Sequence, residues 1–221
     1  MGHLGNNDYG VAYEIFVLDY YNSERYLAPA QVKLVVDLGA NVGFSTLYFL
    51  EKFQDCRIIG FEPHPLHFEQ AQRNLDLNDV RDRVELHPFA AGSHNRSMQL
   101  SDKGSSSSLI ENATGAAVSI QVVDIFPLLR GKKIDLLKMD IEGGEYEILA
   151  DPRFGELNIG AIVMEWHARN DTSVGFQDKS WCERRLQDLG YQINEIFTQP
   201  SNGMFWATRR IEDAQALSGS T

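Results

Sequence analysis

The chain has few cysteines and little positive charge. Cys56 and Cys182 are the two cysteines among 221 residues, too few and too isolated for a disulfide framework or a zinc site. Acidic residues outnumber basic ones by 31 to 20, which gives a formal net charge of −11. A sequence-independent nucleic-acid binder needs a basic face, and so does a protein that docks on anionic membranes. We therefore expect neither a nucleic acid nor a membrane as a partner.

Long hydrophobic runs are also missing. The sequence contains no stretch of about 18 apolar residues, so we expect no helix that spans a bilayer. Asp8, Glu14 and Asp19 interrupt the apolar core that a signal peptide would need. The cytoplasm is then the expected compartment. With 43% hydrophobic residues, the chain can bury one full core.

A glycine-containing turn follows the first apolar run. That run, residues 34–36, ends in Asp37, and Gly39 and Gly43 follow in the turn. A segment with helical apolar periodicity begins directly after it. This pattern predicts a buried strand that leads into a helix through a loop where a ligand can approach the backbone closely.

The turn lacks the glycines of a dinucleotide-binding loop. The G-x-G-x-x-G pattern would require glycine at the positions that hold Asn41 and Phe44. Asp37 precedes the glycines, a placement that suits a ligand with an ammonium and a sulfonium group better than a pyrophosphate. We therefore interpret the loop as a site for the methyl donor S-adenosylmethionine.

Strand-like and helix-like segments alternate between residues 34 and 166. The predicted strands are 33–38, 57–62, 84–88, 134–140 and 161–166, and the predicted helices are 44–53, 66–77, 124–129 and 145–150. Most of these strands are continuous apolar runs, as expected in a parallel sheet covered on both faces. The alternation predicts a doubly wound α/β sheet. A helix at 180–189 and strands at 191–197 and 204–209 predict an antiparallel ending.

Two regions fall outside this alternation. Residues 1–30 are rich in tyrosine and predict an N-terminal helical cap. Residues 93–123 carry serines at 105–108 between two alternating segments. They predict a hairpin insertion, either with a solvated serine turn or folded over the cofactor or substrate. The main domain is expected over residues 31–210, with a tail at 211–221.

A second acidic residue ends the strand beside the glycine turn. Glu62 lies 25 positions after Asp37 and is followed by Pro63, which stops the strand. A carboxylate at this strand tip can accept hydrogen bonds from both hydroxyls of an adenosine ribose. Dinucleotide enzymes place an acid similarly, so Glu62 predicts a ribose without discriminating between cofactors.

Charged residues crowd the end of the strand predicted at 134–140. Lys138 and Asp140 are two positions apart in an extended run and project to one side, while Glu142 lies where the chain turns into the next helix. One interpretation pairs Lys138 with either acid and places Glu145 at a helix N-terminus. In the other, these residues contact the methionine portion of the donor or the reacting hydroxyl.

Three motifs together resemble the FkbM family of S-adenosylmethionine-dependent methyltransferases. They are DLGANVG at 37–43, FEP at 61–63 and LKMDIEGGEYE at 137–147, and the likeness covers roughly residues 32–167. The glycine turn alone would indicate only a class I methyltransferase, whereas the K-x-D-x-E-G segment points to this family. One departure is Gly144, where family members often have alanine.

The resemblance implies a fold and a reaction. The implied fold is a Rossmann-like, doubly wound α/β sheet of seven mostly parallel strands with an antiparallel C-terminal strand. The implied reaction is transfer of a methyl group from S-adenosylmethionine to oxygen, typically on a sugar or polyketide-like metabolite. The alternative function is a non-catalytic S-adenosylmethionine-binding module.

The expected site residues follow from these motifs. We expect Asp140, His167 and Lys138 in catalysis, with His167 and Asp140 competing as the general base that deprotonates the hydroxyl. The expected cofactor-binding residues are Asp37, Gly39, Asn41, Gly43, Glu62, Pro63, Ala90 and Asp140.

The sequence assigns no metal site. Some small-molecule O-methyltransferases hold Mg²⁺ at the ends of adjacent strands, and Asp140, Glu142, Glu165 and Asn170 carry suitable oxygens, but no spacing requires the ion. The expected partner is a small-molecule acceptor. A homo-oligomer is compatible with the sequence.

Overall fold

The computed structural model describes residues 8–101, 117–171 and 175–209. The strands are β1 (Leu34–Leu38), β2 (Arg57–Phe61), β3 (Val84–His87), β4 (Ala90–Gly92), β5 (Arg96–Ser101), β6 (Ala117–Asp124), β7 (Lys133–Met139), β8 (Asn158–His167), β9 (Arg169–Asp171), β10 (Gly175–Gln177), β11 (Tyr191–Thr198) and β12 (Asn202–Arg209). The α-helices are α1 (Asp8–Ala12), α2 (Phe44–Lys52), α3 (Pro65–Leu77), α4 (Phe126–Leu129), α5 (Glu145–Ala150) and α6 (Lys179–Asp188). A π-helical segment (Tyr13–Val17) and 3₁₀ turns (Ser23–Arg25, Pro29–Gln31, Arg81–Arg83, Pro152–Glu156) complete the helical segments.

Seven strands form the main sheet in the order β11-β12-β8-β7-β1-β2-β3. Neighbouring strands from β8 to β3 run parallel, and β12 runs antiparallel to both β8 and β11. This confirms the predicted fold class, including the antiparallel C-terminal strand. The chain leaves β1 in one direction toward β3 and later returns to β7 on its other side. Such a switch point opens a crevice at the carboxyl edge of the strands.

Both faces of the sheet are covered, so β1 is apolar on both sides. Val36 packs into a cluster with Ile148 of α5 and Leu186 of α6, whereas Val35 faces Phe49 of α2 on the other face. All five of these side chains are fully buried. Burial on both faces explains why this strand is a continuous apolar run rather than an alternating one.

The N-terminal segment packs against α2 and against the C-terminal strand. The Tyr21 ring lies 5.3 Å from the Tyr48 ring, and the Trp206 indole N–H donates to the Tyr21 carbonyl oxygen at 2.7 Å. Tyr26 stacks on Trp206 with ring centroids 4.8 Å apart. The N-terminal segment therefore connects α2 to the C-terminal strand β12.

A second sheet has the order β4-β6-β5, with β5 antiparallel to β6 and β4 parallel to it. Ala90, Ala91 and Gly92 form β4, which the sequence did not predict because three small residues show no alternation. The serine turn at 105–108 and the tail at 211–221 lie outside the described residues. Among the described residues, the structure has no helix with the length and apolarity needed to cross a membrane.

Some strand ends differ from the prediction. β7 ends at Met139, so Asp140 follows the strand, and β8 extends to His167. β12 begins at Asn202, two residues before the predicted strand at 204–209. The ladder explains this, because Asn202 pairs with His167 in β8 and a Cβ on Gly203 would lie only 2.6 Å from the Phe197 carbonyl oxygen. Residue 203 must therefore be a glycine, because the backbone of Phe197 approaches it too closely for a side chain.

Candidate functional site

A cavity of about 630 Å³ lies at the carboxyl edge of the main sheet, at the switch point beside β1. Loops that follow β1, β2 and β7 form its floor, and the end of β8 forms one side. The N-terminal segment, the turn between β11 and β12, and β4 and β5 of the second sheet supply the other walls. Ligands bind to doubly wound sheets at this edge.

Gly39 and Asn41 place backbone at the floor of the cavity. Gly39 has φ +85°, and a Cβ there would overlap the carbonyl oxygen of Asp140. Asn41 has φ +50° and also lines the cavity. Gly43 does not line it. A Cβ on Gly43 would lie 3.3 Å from the Cβ of Ala71, so this glycine lets α2 and α3 pack closely.

Glu62 lines the cavity at the end of β2, and backbone amides hold its carboxylate. The amide of Asn41 donates to Oε2 at 2.8 Å, and the amide of His64 donates to Oε1 at 2.8 Å. Burial raises the pKa of Glu62 to about 7, although the two amide hydrogen bonds act in the opposite direction. Pro63 and Ala90 line the cavity nearby.

Asp37 and Lys138 lie beneath the floor and do not line the cavity. Asp37 is fully buried, and its Oδ2 accepts hydrogen bonds from the hydroxyls of Ser45 (2.7 Å) and Thr46 (2.8 Å). Its Oδ1 lies 3.3 Å from Nζ of Lys138, which donates to the Gly39 carbonyl oxygen at 2.6 Å. Two residues predicted to meet ligand thus support the glycine turn from below.

The charge on Lys138 is stabilised in spite of its burial. Desolvation acts to lower its pKa, but the carboxylates of Asp37 and Asp140 outweigh this and raise the pKa. The Asp140 carboxylate lies 3.8 Å from Nζ and lines the cavity. The predicted Lys138–Asp140 pair is present, with Asp37 as a nearer partner.

Carboxylates surround His167 at the end of β8. Nδ1 lies 3.3 Å from Oε1 of Glu145, and Nε2 lies 3.5 Å from Oε2 of Glu142 and 3.6 Å from Oε1 of Glu165. Burial alone would lower the pKa of His167, but the hydrogen bond to Glu145 and the charges of Glu145, Asp140 and Glu142 raise it to about 9. The imidazole therefore carries a proton at neutral pH.

Glu165 lines the cavity next to this cluster. Nδ2 of Asn202 donates to its Oε1 at 2.8 Å. Burial and the charge of Asp140 raise the pKa of Glu165 to about 7, while His167 and Asn202 act to lower it. Burial likewise raises the pKa of Glu142.

One set of side chains in the described residues has the donor atoms for a cation. Ligand atoms of Asp140, Glu165 and His167 lie within 4.8 Å of one another. His167 carries a proton at neutral pH because of its raised pKa, and a nitrogen must be unprotonated to bind a metal. Binding of a metal by this set would therefore release a proton from His167. The Asn170 side chain lies outside the described part of the chain.

Several cavity residues were not identified as site residues from the sequence. The N-terminal segment contributes Glu14, Tyr20 and Tyr21, and the β11–β12 region contributes Phe197 and Met204. The tyrosine spacing predicted only a structural cap. The sequence suggested Glu165 only as an oxygen ligand for Mg²⁺, although it lies near the end of an apolar strand that pairs with the strand before Asp140.

The match to a family model covers most of the chain. Residues 37–193 match the methyltransferase FkbM domain. Methyltransferase sdnD of Sordaria araneosa is 29% identical over 197 residues, which cover 72% of this chain and 73% of that protein. Methyltransferase 1 of Beauveria bassiana is 30% identical over 163 residues, which cover 62% of this chain and 64% of that protein.

Solved structures share the fold at low sequence identity. Methyltransferase FkbM from Methylobacillus flagellatus superposes with a TM-score of 0.54 at 18% identity. The alignment covers 85% of this chain and 46% of that one, so this chain spans less than half of its length. A SAM-dependent O-methyltransferase from Thermotoga maritima gives a TM-score of 0.52 at 13% identity, over 87% of this chain and 64% of that one.

Proposed function

The chain belongs to the methyltransferase FkbM domain family, and on this premise we propose that it transfers a methyl group from S-adenosylmethionine to a hydroxyl oxygen of a small molecule. The proposed acceptor class is a sugar or polyketide-like metabolite. The observation that carries the proposal is the cavity at the switch point, which combines a close backbone turn at Gly39 with the amide-held carboxylate of Glu62.

We orient the donor in this cavity with its ribose at Glu62. Glu62 suits the ribose hydroxyls, because amides of the chain already orient its carboxylate. The methionine portion then extends past Gly39 toward Asp140, where carboxylates can attract its ammonium group and the sulfonium. Asp37 and Lys138 are positioning residues in this arrangement, since they hold the turn through the Gly39 carbonyl.

The protein's part in the reaction is mainly alignment and proton removal. S-adenosylmethionine supplies an activated methyl group on a positively charged sulfur. The cavity walls hold the acceptor oxygen in line with the methyl–sulfur bond and exclude bulk water from the approach. An alcohol is poorly ionised at neutral pH, so a general base contributes roughly 10²–10⁴-fold. The proton already present on His167 disfavours the predicted role of this residue as that base.

Donor binding tests the first half of the proposal. Isothermal titration calorimetry with S-adenosylmethionine and with S-adenosylhomocysteine should show binding of both to the unmodified chain. Glu62→Gln should weaken binding at least about tenfold, or about 1.4 kcal/mol, because it loses the charge and one oxygen acceptor. Glu69→Gln on the exposed face of α3 is the matched control and should bind as the parent does. Absence of binding to both nucleosides would refute the proposal.

Methyl transfer tests the second half. Donor labelled in its methyl group is incubated with sugars and hydroxylated polyketides, with and without a chelator, and incorporation into ether-linked methyl is measured. Incorporation that depends on Glu62 supports the proposed reaction. Donor binding without incorporation into any hydroxyl compound would favour the non-catalytic binding module instead.

A further inference from the structure

We propose that Glu165 is the general base that removes the proton from the acceptor hydroxyl. This inference rests on the proposed methyl transfer and adds a catalytic residue to it. The sequence motifs pointed to Asp140 and His167 for this role, whereas in the structure Glu165 also lines the cavity, near the end of β8.

The position of Glu165 along the sheet edge supports the assignment. The ribose-binding carboxylate, Glu62, follows β2, and three strand spacings separate β2 from β8 in the order β2-β1-β7-β8. At about 4.8 Å per spacing, the two carboxylates are roughly 14 Å apart along the edge. The sulfonium is bonded to C5′ of the ribose, so a donor whose ribose lies at Glu62 holds its methyl group partway along this edge. The acceptor oxygen then occupies the space between that methyl group and Glu165, which lines the same cavity as Glu62.

The orientation of Glu165 is fixed from the neighbouring strand. Asn202 lies on β12, which pairs with β8, and its amide donates to Oε1 of Glu165 at 2.8 Å. An amide donor stabilises the ionised carboxylate and fixes its rotation. Met204, opposite Glu165 in the ladder, also lines the cavity and gives the site an apolar wall.

The groups around each candidate make Glu165 a better general base than Asp140 or His167. Asp140 lies 3.8 Å from the buried ammonium of Lys138 and balances its charge. His167 is held among carboxylates as a cation. The charged and titratable groups that act on Glu165 are Asp140 and Glu142 from the chain after β7, His167 on its own strand and Tyr21 from the N-terminal segment. Burial and these acids raise its pKa to about 7, close to the value at which a base is most effective.

The step balances in atoms and charge. The acceptor oxygen forms a bond to the methyl carbon as the carbon–sulfur bond breaks and its electron pair moves to sulfur. The hydroxyl proton goes to the Glu165 carboxylate. The sulfonium loses its positive charge as the carboxylate loses its negative charge, so the products are a methyl ether, a neutral thioether and a protonated acid. That acid returns its proton to solvent through the cavity.

Glu165→Gln tests the assignment, with Glu69→Gln as the control. By calorimetry, Glu165→Gln should bind S-adenosylmethionine within about twofold of the parent, because the donor is anchored at Glu62. With the best hydroxyl acceptor from the labelled-donor screen, kcat should fall by about 10²–10⁴-fold. In the parent, kcat should rise with pH around 7 as the carboxylate ionises, and this rise should be missing in Glu165→Gln.

A second measurement needs no acceptor. Infrared difference spectra of the parent minus Glu165→Gln should contain a protonated-carboxyl band that disappears with a midpoint near pH 7. Titration near the ordinary glutamate value would overturn the assignment. So would an unchanged kcat in the variant, or parent turnover that is abolished by chelator and restored by Mg²⁺. If the parent binds no donor, the proposed function fails first, which distinguishes the two failures.

Discussion

Replacing His167 with glutamine should change how the stability of the protein depends on pH. The imidazolium lies within 3.3–3.6 Å of three carboxylates, those of Glu142, Glu145 and Glu165. Burial acts to lower its pKa, but the hydrogen bond to Glu145 and the charges of Glu145, Asp140 and Glu142 raise it from 6.5 to about 9. A raised pKa means that the folded state binds the proton more tightly than the unfolded state does. The stabilisation is therefore complete below about pH 6.5 and is lost as the pH rises through about 9.

The size of the effect follows from the pKa shift. With values of 6.5 and about 9, protonation of His167 stabilises the fold by roughly 3 kcal/mol at pH 6 and roughly 2 kcal/mol at pH 7.5. At pH 9.5 the contribution falls to roughly 0.2 kcal/mol. These are upper values, because the side chain is 21% exposed and solvent screens the contacts.

Urea unfolding at pH 7.5 and at pH 9.5 measures this difference. The parent should lose more stability than His167→Gln between these pH values, by an amount approaching 2 kcal/mol. His94→Gln is the control, since that histidine is 64% exposed and lies outside the cluster. Parallel losses in the parent and in His167→Gln would show that the ring is not held as a cation and would refute the electrostatic account of this cluster.

Three further substitutions test other parts of the structure. Asp37→Ala should lower the free energy of unfolding by about 3–5 kcal/mol in urea titrations, because it leaves the ammonium of Lys138 buried without its nearest carboxylate; a loss under about 1 kcal/mol would contradict this. Gly39→Ala should weaken S-adenosylmethionine binding at least about tenfold in calorimetry, because the added methyl group forces the turn to move; unchanged affinity would place the donor elsewhere. Arg96→Gln should lower the free energy of unfolding by about 1–3 kcal/mol in urea titrations, because it removes two hydrogen bonds to half-buried Glu147 (2.9 and 2.6 Å). Added salt should reduce this difference in unfolding free energy between the parent and the variant.

The fold could be predicted because its signals are local. Each central strand is an apolar run of a few residues that ends at a charged or glycine-containing turn, and burial on both faces produces such runs in any parallel sheet. The ends of β1, β2 and β7 therefore marked the edge where the cavity lies. Gly39, Asn41, Glu62 and Asp140 all line that cavity, as the motif spacing suggested.

The remaining parts of the site depend on contacts between distant residues. Asp37 and Lys138 belong to the same motifs as the lining residues, and only the register of β1 against β7 turns them toward each other beneath the floor. The orientation of Glu165 depends on Asn202, which reaches it only because β12 pairs with β8. Tyr21 enters the wall through its contact with Trp206, 185 positions away. No local pattern encodes these pairings.

The insertion of β12 between β8 and β11 has a consequence for synthesis on the ribosome. β8 is made before β12 and gains its second neighbour only when residues 202–208 have been made. Until then its edge is unpaired, and an unpaired edge is open to association with other chains. Slow translation or truncation before Trp206 should therefore leave a nascent chain with a nearly complete sheet, an unfinished pocket and a strong tendency to engage chaperones.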